Sequence, residues 1–389
     1  MTDVAVEPSS PVFTSRREWP RWTFSALVPI AIFAIVRMFD ALVIEYASRF
    51  QVPVGSGTHP GMFGFVNKSA DPGYWSVITN WDGQWYQFIS TDGYHTHAVA
   101  TVGAVNTSWA WAFPPLFPLL THGLMDLTGW SFAVAASILN LCLGALAMVL
   151  LYCLVDKAAG RFLAVSAVAL SSCFISAPLL QAAYSEALGF VLLLSTLLMI
   201  RRRSYAWTLL PLTALAFTRL ITVPIAVVAL TVLVTRWRAR ERDPLNRREG
   251  VGLALIAAVS IVGVWLWSAL AALLAPAPTG ASARTSISAG TTIGWFSDMY
   301  QYLGWPGLLF VACLATLFIL IACSRWTDGW GVEVRTWLAA YPVFLLVATP
   351  VTGGIFRYLL LCPLLRCSLQ EVRDSSGEKS DWSTSCWLV

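Results

Sequence analysis

The sequence predicts an all-α polytopic membrane protein, and three observations support this prediction. Of its 389 residues, 57% are hydrophobic and only 12% are charged, whereas a soluble domain has about 45–50% apolar and about 25% charged residues. The mean hydropathy is +0.67. Apolar runs of about 20 residues, the length that crosses a bilayer, follow one another along the chain. So little charge cannot cover a soluble enzyme of this size, and so much apolar surface excludes a disordered chain.

The charge and cysteine content exclude further classes. The net charge is only +4, which provides no basic surface for nucleic acid, so we expect no nucleic-acid partner. Eight cysteines occur, most of them in or beside apolar runs, without a CxxC or a Cys/His zinc spacing. We therefore expect neither a disulfide framework nor a zinc site.

The chain begins with a polar tail and a first membrane helix. The tail, residues 1–21, carries Arg16, Arg17 and Arg21, and the apolar run that follows at 22–47 is too long for a signal peptide. Positive charge marks the cytoplasmic side of a membrane helix. The tail is therefore predicted to be cytoplasmic, and the first helix leads outward.

Further membrane helices are predicted at apolar runs that alternate with short basic loops. The loops are Lys157 with Arg161, residues 201–203, and the strongly basic segment 236–249, and all three should be cytoplasmic. The apolar runs lie at 131–155, 161–181, 182–200, 206–235, 251–275, 305–323 and 335–350.

The run 206–235 has basic residues at both ends, which constrains the topology. A helix of this length would measure about 45 Å, too long for a straight span, and Pro211 and Pro224 interrupt it. We predict two short helices that meet at the outer face near Arg219. The alternative, a single long tilted helix, would invert the sides of the segments before or after it.

This topology leaves two external loops, about 48–130 and about 276–304. The end of the first loop, residues 111–129, is apolar but rich in proline, which favours a re-entrant or interfacial helix over a span. A last apolar stretch at 355–365 is short and is followed by a polar tail, 366–389. We expect a membrane domain at 22–365 and a C-terminal tail that is truncated or aberrant.

A first candidate site residue lies in the segment NWDGQWYQFISTDGY at 80–94. Helical spacing places Trp81, Trp85, Phe88 and Ile89 on one side, which predicts an amphipathic helix at the membrane surface. Asp82 among these aromatic residues could act as a general base. The alternative is an aspartate on the solvated face of that helix.

Ionisable residues within membrane segments are functional candidates by default. Glu186 follows Tyr184 near the outer end of its helix, while Arg219 and Arg357 lie on the same predicted side. Arginine has a planar donor fork that suits phosphate, although a structural ion pair or an arginine reaching to the interface are alternatives.

Two weaker candidates complete the set of ionisable residues. Asp40 could line the same cavity, although it lies three residues after Arg37 and can instead pair with it along one helix face. His95 and His97, with nearby acids, could assemble a metal site, although loop histidines are usually solvated.

Several of these segments together resemble the PIG-V family, mannosyltransferases of the GT-C superfamily. The resemblance rests on WDGQWYQFISTDGY, FPPLFPLL at 113–120, AAYSEALGFVLLL at 182–194, TR at 218–219 and RYLLLCPL at 357–364, in that order. It covers about residues 20–365. It implies a GT-C-like helical bundle whose large first extracytoplasmic loop carries amphipathic helices, a polyprenyl-phosphate-mannose donor, and an active site on the extracytoplasmic face of the cell membrane.

The sequence and the resemblance together predict an inverting mannosyltransferase of glycolipid biosynthesis, with a glycolipid or glycan acceptor. Asp82 would be the catalytic base, and the mechanism requires no cofactor, while a divalent metal stays open. The alternatives are a lipid or glycolipid transporter or flippase, and an inactive accessory subunit of a glycosyltransferase complex. The residues expected to bind the substrate or the donor phosphate are Arg219, Arg357, Glu186, Tyr184, Trp81 and Asp40.

Overall fold

The protein is built almost entirely from helices, as the composition predicts. The computed structural model describes residues 21–51, 71–94, 101–102, 105–275, 294–351 and 354–362. Within these ranges a single two-stranded antiparallel pair occurs, β1 (Thr101–Val102) with β2 (Val105–Asn106). The helices are α1 (Arg21–Ser48), α2 (Tyr74–Val77), α3 (Asp82–Asp92), α4 (Leu116–Thr128), α5 (Phe132–Ala159), α6 (Arg161–Ser172), α7 (Glu186–Arg201), α8 (Tyr205–Ala216), α9 (Val223–Arg238), α10 (Arg247–Leu274), α11 (Gly294–Leu303), α12 (Trp305–Cys323), α13 (Val332–Ala348) and α14 (Ile355–Leu359).

Four of the described helices are long and apolar enough to cross a membrane: α1 from Ala26 onward, α5, α10 and α12. The shorter helices pack between and beside them: α5 lies against α1, α6 and α7, and α10 lies against α8 and α9. The protein is therefore an all-α polytopic membrane protein.

The helix connections sort into two ends of the bundle. The basic loops lie at one end, here called the basic end, where Arg201 pairs with Glu333 at the start of α13 at 3.5 Å. The other end, here called the cavity end, holds the start of α7 and the connection between α8 and α9. The side of the cell that each end faces stays a prediction from the basic loops.

The run 206–235 is broken into two helices, as predicted, and the single-helix alternative is wrong. Helix α8 ends at Ala216 and α9 begins at Val223, with Pro224 in the first turn of α9, where a missing N–H does no harm. At the far ends of the two helices, Arg236 donates a hydrogen bond to the Tyr205 hydroxyl at 3.3 Å. Both far ends therefore lie together at the basic end, and Arg219 lies at the opposite turn.

The first loop is packed onto the bundle by an aromatic cluster. Trp85, Phe88 and Ile89 of α3 are buried, together with Phe117 of α4, so the apolar side of α3 contacts protein. Trp81 departs from the predicted pattern. It precedes α3 with a positive φ of 54°, and 49% of its surface is exposed.

The length of α4 confirms that the proline-rich segment is a poor membrane span. The helix has 13 residues, about 20 Å. Helix α14 has only five residues. Other predicted features lie outside the described residues: the tail at 1–20, residues 276–293 of the second loop, His95 with His97, and the C-terminal tail at 366–389.

Candidate functional site

A cavity of about 630 Å³ opens at the cavity end of the bundle. Its polar lining comes from segments far apart in the chain: Asp82, Ser185, Arg219, Asp298 and Arg357. Apolar side chains from α10 and α13 complete the wall. The cavity combines acids, arginines and an apolar wall, which suits a ligand with both a charged and an apolar part.

Asp82 is positioned by contacts between the start of α3 and the segment that precedes α7. The Ala183 N–H donates to the carbonyl of Ile78 at 2.9 Å, and the Tyr184 hydroxyl donates to the carbonyl of Asn80 at 2.9 Å. Asn140 of α5 in turn donates to the Tyr184 carbonyl at 2.8 Å. These bonds fix the first turn of α3, and Asp82 with it, beside the first turn of α7.

Glu186 is the buried centre of the site. Its side chain has no exposed surface, and its Oε1 pairs with Arg219 Nη1 at 2.9 Å and with Arg357 Nε. It lies in the first turn of α7, where the helix dipole favours a negative charge. Its second oxygen, Oε2, is buried without a hydrogen-bond partner.

Arg219 reaches the site from the break between α8 and α9. Its Nη1 also contacts Ser185 Oγ at 3.4 Å, while its Nε is buried without a partner. A Cβ atom at Gly189 of α7 would lie 2.7 Å from Arg219 Cδ. The absence of a side chain at position 189 therefore makes room for the arginine.

Arg357 joins the two acids. Its Nη1 contacts Asp82 Oδ2 at 2.6 Å, its Nε pairs with Glu186, and its guanidinium carbon lies 4.7 Å from the centre of the Tyr184 ring. The rigid, planar fork of arginine allows both pairs at once. We call Asp82, Glu186, Arg219 and Arg357 the cavity cluster; its formal charge is zero.

Two hydroxyl groups support the cluster without adding charge. Tyr86 donates to Ser185 Oγ at 2.9 Å, and burial raises the pKa of Tyr86 above its ordinary value. The phenol therefore stays protonated and serves as a fixed hydrogen-bond donor.

The structure brings together most of the residues that the sequence singled out. Asp82, Glu186, Arg219 and Arg357 form one cluster, and Tyr184 packs under Arg357. Trp81 does not line the cavity in the described part of the chain.

Asp40 lies outside the cavity as well. It pairs with Arg37 at 2.7 Å, and Arg37 also donates to the carbonyls of Ser172, at 2.5 Å, and Ala177. This is the structural pair that the three-residue spacing allowed, and it fixes α1 to the end of α6.

Sequence reasoning missed Asp298, Ser185 and Tyr86. Asp298 of α11 lines the cavity, and its Oδ2 accepts a hydrogen bond from the Val351 N–H at 2.7 Å. One signal was present: Asp298 is the only acidic residue between Glu249 and Asp328. Among the described residues, no group of three or more His, Cys, Asp or Glu could hold a metal ion.

Comparison with known proteins adds no family assignment. No family model matches the chain, and no curated protein matches it with significant similarity. The class therefore rests on the fold and the site: a polytopic, all-α membrane protein with a cavity that contains buried ion pairs.

Proposed function

We propose that the protein is a membrane glycosyltransferase that transfers mannose from polyprenyl-phosphate-mannose to an extracytoplasmic lipid or glycan acceptor. One observation carries the proposal: a carboxylate and two arginines, from α3, the α8–α9 break and α14, line one cavity of about 630 Å³ at one end of a membrane bundle. The transfer needs a proton acceptor, which the carboxylate can be, and cations for the leaving phosphate, which the two arginines can be.

The proposed reaction is a direct displacement. Asp82 takes the proton of an acceptor hydroxyl as its oxygen forms a bond to the anomeric carbon, and the bond between that carbon and the phosphate oxygen breaks. The configuration at the anomeric carbon inverts. The leaving group is a polyprenyl phosphate, whose growing charge Arg219 and Arg357 stabilise, so it needs no acid to protonate it.

Two features of the cavity support this assignment of roles. Asp82 is 19% exposed, whereas Glu186 is fully buried, so Asp82 is the acid of the cluster that a substrate hydroxyl can reach. Arg219 lines the cavity, and its Nε is buried without a partner, so the protein does not use all of its hydrogen-bond donors. Glu186 is a positioning residue, because both arginines are anchored on it.

The test is transfer of labelled mannose by purified protein in detergent or vesicles, with a membrane lipid extract as the source of acceptor. A general base contributes roughly 10²–10⁴-fold to a rate, so Asp82→Asn should lose transfer by about that factor. Asp92→Asn is the matched control, because Asp92 lies on the same helix but is exposed and does not line the cavity.

The possible outcomes separate the alternatives. Near wild-type turnover by Asp82→Asn would show that Asp82 is not the general base. Transfer only from a glucose or arabinose donor would show that the transferred sugar is not mannose. Movement of the lipid between leaflets without cleavage of the sugar–phosphate bond would identify a transporter or flippase instead.

A further inference from the structure

We propose that Asp82 occupies the position on Arg357 that the phosphate of the lipid-linked sugar takes, so that donor binding displaces Asp82 and frees it to act as the base. This inference rests on the proposed function and adds an order to it: the donor binds first, and the acceptor hydroxyl is deprotonated only afterwards. The observation behind it is the ion pair of Arg357 Nη1 with Asp82 Oδ2 at 2.6 Å.

The charges of the cavity do not leave an arginine without an anion. The two arginines of the cavity cluster are matched by Asp82 and Glu186, and Asp298 adds a third acid to the cavity. A phosphate that simply entered would meet three carboxylates and two guanidinium groups, a net negative site. A phosphate can bind well only if a carboxylate gives up its arginine.

Asp82, and not Glu186, is the carboxylate that can leave its arginine. Glu186 has no exposed surface, and an acid separated from its buried partners would be strongly destabilised. Asp82 and Arg357 are 19% and 23% exposed, and ion pairs that water can reach are weak. Arg357 therefore keeps Glu186 on Nε and exchanges the anion on Nη1.

The ion pair with Arg357 also affects how well Asp82 can accept a proton. A carboxylate paired with a guanidinium is a poorer proton acceptor than a free one, so Asp82 is a weak base while the donor is absent. A phosphate oxygen on Nη1 replaces the carboxylate oxygen one for one, and the arginine fork favours phosphate geometrically. Asp82 is thus released from Arg357 only when the donor is bound, and the donor carries the anomeric carbon that the acceptor attacks.

Direct binding measurements test the exchange without requiring transfer. The probe is a short-chain prenyl monophosphate, with inorganic phosphate as the arm that separates a lipid requirement from simple anion binding. Calorimetric titration of the full chain in detergent should show that Asp82→Asn binds the prenyl phosphate about fivefold more tightly than wild type, because the competing anion is gone.

Asp298→Asn is the matched control, because it removes the same charge from the same cavity but from a residue that does not pair with Arg357 in the described structure. Its affinity should rise by about twofold at most, because the charge of Asp298 acts on the phosphate only through space, while the Arg357 pair stays intact. Equal tightening by both variants, or no tightening by Asp82→Asn, would overturn the exchange while leaving a phosphate-binding function standing.

A second measurement uses the wild-type protein, in case Asp82→Asn does not fold. Infrared difference spectra on adding prenyl phosphate should show a shifted carboxylate stretching band, and the same band should shift in Asp298→Asn. An unchanged carboxylate spectrum in the presence of bound ligand would overturn the exchange.

The two proposals fail in different ways. If neither wild type nor Asp82→Asn binds prenyl phosphate, the proposed function fails and the exchange fails with it. If Asp82→Asn binds more tightly but wild type transfers no sugar from any lipid-phosphate donor, the exchange stands and the transferase function falls.

Discussion

The two ends of the helical bundle each hold a cluster of two arginines and two acids, but the clusters differ in every other respect. At the basic end, Asp243 pairs with Arg203 at 2.6 Å and with Arg236 at 3.4 Å, and Arg236 also pairs with Glu249. We call these four residues the basic-end cluster. They all lie within residues 203–249, and Arg203 and Asp243 are half and one-third exposed.

The cavity cluster is assembled from distant residues and is largely buried. Asp82 and Arg357 are 275 residues apart, and Glu186 and Arg219 each keep a buried atom without a partner. In the basic-end cluster, Glu249 completes a capping box with Asn246 at the start of α10. The comparison teaches that ion pairs of equal composition can either hold a loop in place or form a site. Burial, unpartnered atoms and an adjoining cavity distinguish the site.

The largest contrast is expected when one glutamate is neutralised at each end. Glu186→Gln leaves the buried Arg219 and the partly exposed Arg357 short of an anion and should lower the free energy of unfolding by about 3–5 kcal/mol. Glu249→Gln acts on a partly exposed pair and should lower it by about 1 kcal/mol or less. Denaturant unfolding in detergent measures both, and losses of similar size would show that the two clusters are energetically alike.

The next contrast concerns ligand affinity after removal of one arginine from each end. Arg219→Met removes a charge-assisted donor, worth about 1.5–3 kcal/mol, and should weaken binding of prenyl phosphate about 10- to 100-fold. Arg203→Met should leave that affinity unchanged, because Arg203 does not line the cavity. Equal weakening by the two variants in a titration would mean that the arginines act only through long-range charge.

A smaller effect is expected from two glycines that each lie against a cluster residue. A Cβ atom at Gly189 would lie 2.7 Å from Arg219 Cδ, and one at Gly252 would lie 2.7 Å from Tyr205 Cβ at the basic end. Both alanine variants are overpacked, which costs about 1–3 kcal/mol. Only Gly189→Ala should also weaken prenyl phosphate binding, by a few-fold. An unchanged affinity in that variant would mean that the exact position of Arg219 does not matter for binding prenyl phosphate.

The smallest effect is a pH dependence confined to the basic end. Hydrogen bonds from Arg203 hold the pKa of Asp243 below its ordinary value of 3.8 in the folded protein. The stabilisation from this pair is therefore present above that value and is lost as the pH falls through the lower, folded pKa. The difference in apparent melting temperature between wild type and Asp243→Asn should narrow as the pH is lowered below about 4. A constant difference would contradict this.

Much of the fold could be predicted because its signals are local. Basic loops and apolar runs located the long helices, although α6 ends at Ser172, before the end of the predicted run 161–181. Two prolines with basic residues at both ends predicted the break near Arg219. The pair of Arg37 with Asp40 was predictable for the same reason, since residues three apart meet on a helix. Trp81 broke the helical pattern because a residue just before a helix does not follow the angular spacing of the helix.

The site was only partly predictable, because its contacts are not local. Topology placed Asp82, Glu186, Arg219 and Arg357 at the same end, but nothing in a single sequence says that Arg357 contacts both acids. Asp298 was missed because it follows a loop rich in glycine, serine and threonine that offers no helical pattern before Gly294.

The charge balance of the cavity also bears on selectivity. A bilayer surface is crowded with anionic headgroups, which gather wherever cationic residues stand unmatched. Here the cations are already neutralised and a third acid stands nearby, so common phospholipids gain little by entering. If the proposed exchange holds, we expect an occupant to compensate for separating a carboxylate from its arginine with contacts that only a matching molecule can make, and this requirement would keep common membrane lipids out of the site.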